Sequence, residues 1–152
     1  MATLIRDGAW RRDDWRRFTP TQAAPLPADE PGWMVPLALW RASHAGWLRR
    51  RFPVDVVFAP EDDPAGLFEH GAPAGLAFIA IDFPVYTDGR GFSLAQLLRT
   101  QCGWRGELRA VGDVMIDTVH YLARCGFDSF SLKAGHDPQQ ALEALALLGS
   151  GD

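Results

Sequence analysis

The sequence predicts an α/β protein: repeated strand–helix units around a parallel sheet of four or five strands, preceded by an N-terminal hairpin arm. Three observations predict it. Apolar runs of strand length recur at Val54-Asp-Val-Val-Phe-Ala59, Leu76 to Phe83, Glu107 to Val111 and Ser129 to Leu132. Segments with helical periodicity or helix-start signals separate those runs. Near the N-terminus, Asp7-Gly8 lies between short apolar stretches, the signature of a tight hairpin. Strands alternating with helices at this spacing are parallel and joined by right-handed crossovers. An open doubly wound sheet and a partial barrel both satisfy the pattern.

In chain order, Leu4 to Trp10 forms the hairpin, and an arginine cluster with two aspartates follows it, Arg11-Arg12-Asp13-Asp14-Trp15-Arg16-Arg17. The Pro/Ala-rich residues 19–31 have no periodicity and read as a surface connector. Residues 1–31 are therefore expected to be an arm and linker, and residues 32–152 a single α/β domain. Met34 to Leu39 reads as a short strand that Pro36 demotes to an edge or to a helix start. A helix to about Arg51 carries Trp40, His44, Trp47 and Leu48 on one face. Asp63-Pro64 looks like an N-cap with proline at the first helical position. Ser93-x-x-Gln96 looks like a capping box for a helix with the stripe Leu94, Leu97, Leu98. Asp113 is expected to cap a helix ended by Gly126, and Asp137-Pro138 to start the last helix.

Composition narrows the functional classes. A net charge of −4 argues against nucleic acid as a partner. No apolar run approaches the roughly 20 residues that span a bilayer, and Asp7-Gly8 interrupts the N-terminus before a signal-length apolar region forms. A soluble, cytoplasmic protein without a membrane partner is expected. Cys102 and Cys125 form no Cys-x-x-Cys pair and each sits just before a glycine at a helix end, so both read as reduced structural thiols. Gly89-Arg-Gly91 is no dinucleotide fingerprint, since Leu94 occupies the third glycine position. His44, His70, His120 and His136 lack metal-ligand spacing. No cofactor motif is identified and no local motif marks a metal site, which leaves metal binding open only through residues distant in sequence.

The site is expected where parallel strands end. Asp62 and Asp63, Asp82, the Asp88-Gly89-Arg90-Gly91 loop, Gly112-Asp113 and Lys133 all fall at that edge. Asp82, Asp88 and Asp113 are the candidate acids or bases. Arg90, Gly89, Gly91, Arg109 and Lys133 are the candidate ligand contacts. Each has a structural alternative. Asp63 and Asp113 fit helix caps, and the two glycines fit a positive-φ turn. Arg109 alternates with Leu108 and Ala110 and is expected to point inward, where an ion pair with Asp82 and a ligand contact both remain open. Arg90 is expected to pair with a carboxylate or an oxyanion, because the positive end of a helix is unfavourable for a lone cation.

Three stretches also resemble a known family: Phe83-Pro84-x-x-Thr87-Asp88-Gly89-Arg90-Gly91-Phe92-Ser93, Gly106-Glu107-Leu108-Arg109-Ala110-Val111-Gly112-Asp113, and Tyr121-Leu122-x-Arg124-Cys125-Gly126-Phe127-Asp128. They are similar to bacterial uncharacterised proteins labelled as oxidoreductases of sulfite reduction and encoded beside sulfite reductase genes. The resemblance covers about Ile79 to Leu132. It departs at Val85-Tyr86, where members carry Lys-Phe, and at Ile116-Asp117-Thr118, where they carry Arg-Asp-Gln. It implies an accessory protein of assimilatory sulfite reduction, acting with sulfite reductase subunits or on a sulfite-like anion. Docking through Trp10, Trp15, Trp33 and Trp40 and packing of those side chains onto the domain are both open. The alternative is a stand-alone small-molecule enzyme with a carboxylate/Arg pocket at the strand ends.

Overall fold

A computed structural model describes residues 3–69 and 73–150. Among these residues eight strands form one sheet: β1 (Thr3–Arg6), β2 (Ala9–Arg12), β3 (Arg16–Arg17), β4 (Trp33–Pro36), β5 (Asp55–Phe58), β6 (Phe78–Phe83), β7 (Glu107–Gly112) and β8 (Ser129–Leu132). The order is β2-β1-β8-β7-β6-β5-β4-β3. Strands β3 to β8 run parallel, while β1 joins β8 and β2 joins β1 antiparallel. The sheet curls into a half-barrel.

The expected count of four or five strands is thus too low, and the reason lies in residues 3–17. Leu4 and Ile5 are apolar and almost wholly buried. Leaving them on a detached hairpin would forfeit about 1.5–3 kcal/mol each. They add to the β8 edge instead, with Ile5 opposite Phe130. The turn between β1 and β2 has φ of 55° at Asp7 and 75° at Gly8, the double positive φ that an Asp-Gly hairpin supplies. Arg16 and Arg17 extend the other edge beside β4. Connector residues 19–31 are mostly exposed but tethered: the Asp29 carboxylate accepts from the amides of Arg51 and Phe52, both at 3.0 Å.

The helices are α1 (Leu37–Ala42), α2 (His44–Trp47), α3 (Gly89–Thr100), α4 (Val119–Arg124) and α5 (Pro138–Ser150). They share one apolar cluster with one face of the sheet. Val35, Val56, Phe58, Ile79, Ile81, Phe83, Leu108, Ala110, Phe130 and Leu132 meet Leu37, Trp40, Trp47, Leu94, Leu98, Val119, Leu122 and Ala141 there. The other face carries a smaller cluster of Met34, Val57, Phe78, Ala80 and Val111, and Trp15 closes it edge-on to Phe78 at 4.8 Å. Helices on one face and an N-terminal strap on the other give a half-barrel, not a doubly wound sheet.

Several local expectations change. The helix to Arg51 is two short helices, broken at Ser43; the His44 side chain and all of His70 lie outside the described residues. Asp63-Pro64 starts a turn, with the Asp63 carboxylate accepting from Ala65 N at 2.9 Å. Helix α3 begins a turn before Ser93, because Asp88 supplies the cap. Asp113 caps no helix, since a 3-10 turn (Ile116–Thr118) intervenes before α4. Asp137 does cap α5, accepting from Gln139 N at 2.9 Å.

Candidate functional site

The parallel strands end at a common edge, and three carboxylate–cation pairs stand along it. Asp82, near the end of β6, accepts from Arg17 Nη1 at 2.8 Å. Arg17 sits on β3, three strands from β6, a gap of roughly 14 Å in a flat sheet. The curl of the sheet is what lets the two meet.

The second pair is local. Asp88 accepts from Arg90 N at 3.0 Å, closing the first turn of α3, and from Arg90 Nε at 3.1 Å and Nη2 at 2.8 Å. One carboxylate therefore caps the helix and holds the guanidinium. The Arg90 guanidinium, as the largest cause, keeps the Asp88 carboxyl below the usual range, and Asp88 raises Arg90 in turn.

The third pair joins β7 to β8. Asp113 follows Gly112 and accepts from Tyr86 N at 3.0 Å and from Lys133 Nζ at 3.2 Å. Its carboxyl is held low first by the Tyr86 amide and then by Lys133. Gly112 makes this corner possible: its φ is 92°, and a Cβ there would sit 2.5 Å from Asp82 Oδ1 and 2.6 Å from Phe83 O. Asp113 N donates to Phe83 O at 2.7 Å, which ties the third pair to the end of β6.

Gly89 and Gly91 lie inside α3, and neither has a positive φ, so the turn expected of them is absent. Gly91 has a packing reason instead. A Cβ there would fall 2.4 Å from the Phe83 ring, so glycine lets α3 lie close against β6. Beside the helix, Pro60, Asp62, Asp88, Gly89, Arg90 and Ser93 line an open depression of about 620 Å³. Asp62 turns one oxygen to Ala59 N at 2.8 Å.

Arg109 does not reach this edge. It is the third residue of β7, 2% exposed, on the helix-free face. Its Nε and Nη2 donate to Glu107 at 3.1 and 2.7 Å, Nε also reaches Ser129 Oγ at 3.2 Å, and its guanidinium carbon lies 3.7 Å from the centre of the Phe78 ring. Asp82 is paired with Arg17, so the Arg109–Asp82 pair is not formed. Glu107 wins because it lies two residues back on the same face of the same strand. Arg6 adds a second cation to Glu107 at 3.2 Å.

Sequence reading missed four residues. Arg17 belongs to the arginine cluster of the expected N-terminal arm, and nothing local signals a partner 65 positions away. Asp55 is buried on β5, accepts from the amides of Ala77 and Phe78 at 2.7 and 3.0 Å, and is pushed up to about 6 by burial. A lone acid inside Val54-Asp-Val-Val-Phe was the available signal. Arg99 binds the carbonyls of Trp104, Gly106 and Gly126 and the Asp128 carboxylate. Glu107, the partly buried partner of Arg109, is the fourth.

Of the four N-terminal tryptophans, Trp40 is buried, Trp15 and Trp33 are partly buried, and Trp10 is exposed. Burial pushes the Cys102 and Cys125 thiols up, which disfavours thiolate. Among the described residues, no group of three His, Cys, Asp or Glu side chains could hold a metal ion, and no helix is long and apolar enough to cross a membrane.

A family model described as "Bacterial protein of unknown function (DUF934)" matches residues 55–150. The chain belongs to this family. The DUF934 match runs from β5 to α5 and so contains both members of the Asp88–Arg90 and Asp113–Lys133 pairs and Asp82, while Arg17 lies before it. Neither the curated proteins nor the solved structures contain a match to this chain.

Proposed function

We propose that this protein is a cytoplasmic accessory component of assimilatory sulfite reduction that works by docking through its strand-end edge. The resemblance of residues 83–93, 106–113 and 121–128 to sulfite-linked proteins supports the pathway. The observation that supports docking over chemistry is the state of the three candidate acids. Asp82, Asp88 and Asp113 are each engaged by a cation, and Asp88 and Asp113 are held below the ordinary carboxylate range. A general acid or base at neutral pH needs the opposite tuning. Deleting the gene, in a strain with no second copy, should abolish or slow growth on sulfate and leave growth on cysteine intact. Subunits of the sulfite-reducing enzyme should co-purify with the tagged protein. Normal growth of the deletion strain on sulfate would remove this reading.

The depression beside α3 favours a second reading, a small-molecule site. Asp62, Asp88 and Arg90 bring both charge signs to a space of about 620 Å³. A small oxyanion there would take its hydrogen bonds from Arg90 in competition with Asp88. Titrating the protein with sulfite and sulfate, while following the Gly89 and Arg90 amides by NMR, separates the two readings. Saturable shifts that vanish in Arg90→Ala would favour the small-molecule site.

A further inference from the structure

The three edge pairs share a property that pairing alone does not require. In each, the carboxylate is turned inward and the cation outward: side-chain exposure is 14% for Asp82 against 48% for Arg17, 12% for Asp88 against 61% for Arg90, and 20% for Asp113 against 60% for Lys133. The acids are spent on the protein itself, on the α3 cap and on the Tyr86 amide. The cations are what an approaching molecule meets. A chain of net charge −4 thus shows a positive-facing edge at this place.

Large apolar side chains stand exposed at the same edge. Val85 and Tyr86 lie on the loop between Asp82 and Asp88, and that loop is pinned by Asp88 N to Val85 O at 2.9 Å and by Tyr86 N to Asp113. Tyr121, also exposed, packs edge-on against Phe92 at 4.9 Å, and Phe92 lies 5.3 Å from Phe83, the last residue of β6. Exposed aromatics held by a rigid backbone, rimmed by charge, are the composition of a protein-binding surface.

We infer that the strand-end edge binds an acidic segment of a partner protein, with Arg17, Arg90 and Lys133 receiving its carboxylates and Val85, Tyr86 and Tyr121 receiving an apolar side chain; this builds on the docking reading above. An anionic lipid surface fits less well. Lipid-binding patches gather four to eight uncompensated Lys/Arg, whereas each cation here has a carboxylate behind it and Glu61 acts on Arg90 from the side.

The test uses the full chain, labelled for NMR, and three short synthetic peptides: one alternating Glu with Leu and Phe, one with Lys in place of Glu, and one with Ser in place of Leu and Phe. The acidic apolar peptide should shift the amides of residues 85–90, 121 and 133, bind at least about tenfold more tightly than either control, and weaken as salt rises. Val85→Ser/Tyr86→Ser keeps every ion pair and should lose that binding, as should Arg90→Glu/Lys133→Glu. Equal binding of the lysine peptide, shifts confined to other surfaces, or shifts at this edge only with phosphatidylserine vesicles would each overturn the inference. The growth assay separates this outcome from the pathway reading. If the deletion strain needs cysteine while the acidic peptide ignores the edge, the docking chemistry falls and the pathway stands. If the peptide binds while the deletion strain grows on sulfate, the pathway falls and the surface stands.

Discussion

Two arginine–carboxylate clusters lie at opposite ends of the same central strands, and they are built in opposite senses. At the strand-start end, Arg109 and Ser129 are buried, Glu107 is nearly so, and Arg109 is pressed flat on Phe78. At the strand-finish end, Arg17, Arg90 and Lys133 reach into solvent from inward-turned acids. The first arrangement removes charge from water and must be repaid by hydrogen bonds within the fold. The second keeps its cations hydrated, so it contributes little to stability and is free to meet another molecule. The two clusters share their charge chemistry and differ in whether the cation is buried or faces solvent.

Removing the buried cation should give the largest effect. Arg109→Met leaves Glu107 with Ser129 and a partly exposed Arg6, and should cost about 3–5 kcal/mol. Urea titration of the variant measures it. Arg109→Met/Glu107→Gln should recover part of the loss, because the stranded charge is then gone. A loss under about 1 kcal/mol in the single variant would mean that the strand-start cluster is no more structural than the edge.

Asp55 sharpens the same contrast through pH. Its folded value of about 6 exceeds the ordinary 3.8, so between these values the folded chain binds more protons than the unfolded one. Stability from this residue is complete below about pH 4 and is lost as pH rises through 6, a span of about 3 kcal/mol. Asp29, Asp88 and Asp113 are lowered and act in the other direction, losing their contribution as pH falls through their folded values. From these groups stability should therefore peak at about pH 4 and decline until about pH 6. In Asp55→Asn the decline between pH 4 and 6.5 should flatten, which melting curves across that range will show.

Arg99 offers a smaller test of how far an inward guanidinium supports the fold. It is partly exposed and joins the end of α3 to the starts of β7 and β8 through three carbonyls and Asp128. Arg99→Ala should cost about 2 kcal/mol, and Arg99→Lys should restore little, because an ammonium cannot match the planar fork.

Much of the sheet was legible before the structure. Strands β5 to β8 follow apolar runs that few alternatives could satisfy, and the Asp7-Gly8 turn fixes its own hairpin. The edge location of Asp82, Asp88, Arg90, Asp113 and Lys133 followed from parallel topology, since it depends only on which strand each residue ends. What stayed hidden depends on contacts distant in sequence. Arg17 meets Asp82 because the sheet curls, and Arg109 is buried because Ser129, Trp15 and Phe78 close around it from elsewhere in the chain. Helix starts also shifted. Several acids can cap in principle, and the backbone selected Asp88 while Asp113 went to Tyr86 and Lys133.

A docking role for the strand-finish edge and a purely structural one predict different outcomes in the cell. Growth on sulfate of a strain whose sole copy carries Arg90→Ala/Lys133→Ala, at wild-type levels of folded protein, separates them most directly. With docking, growth should fall toward that of the deletion strain while the melting temperature of the purified variant stays near wild type. Wild-type growth from that variant would contradict a docking role.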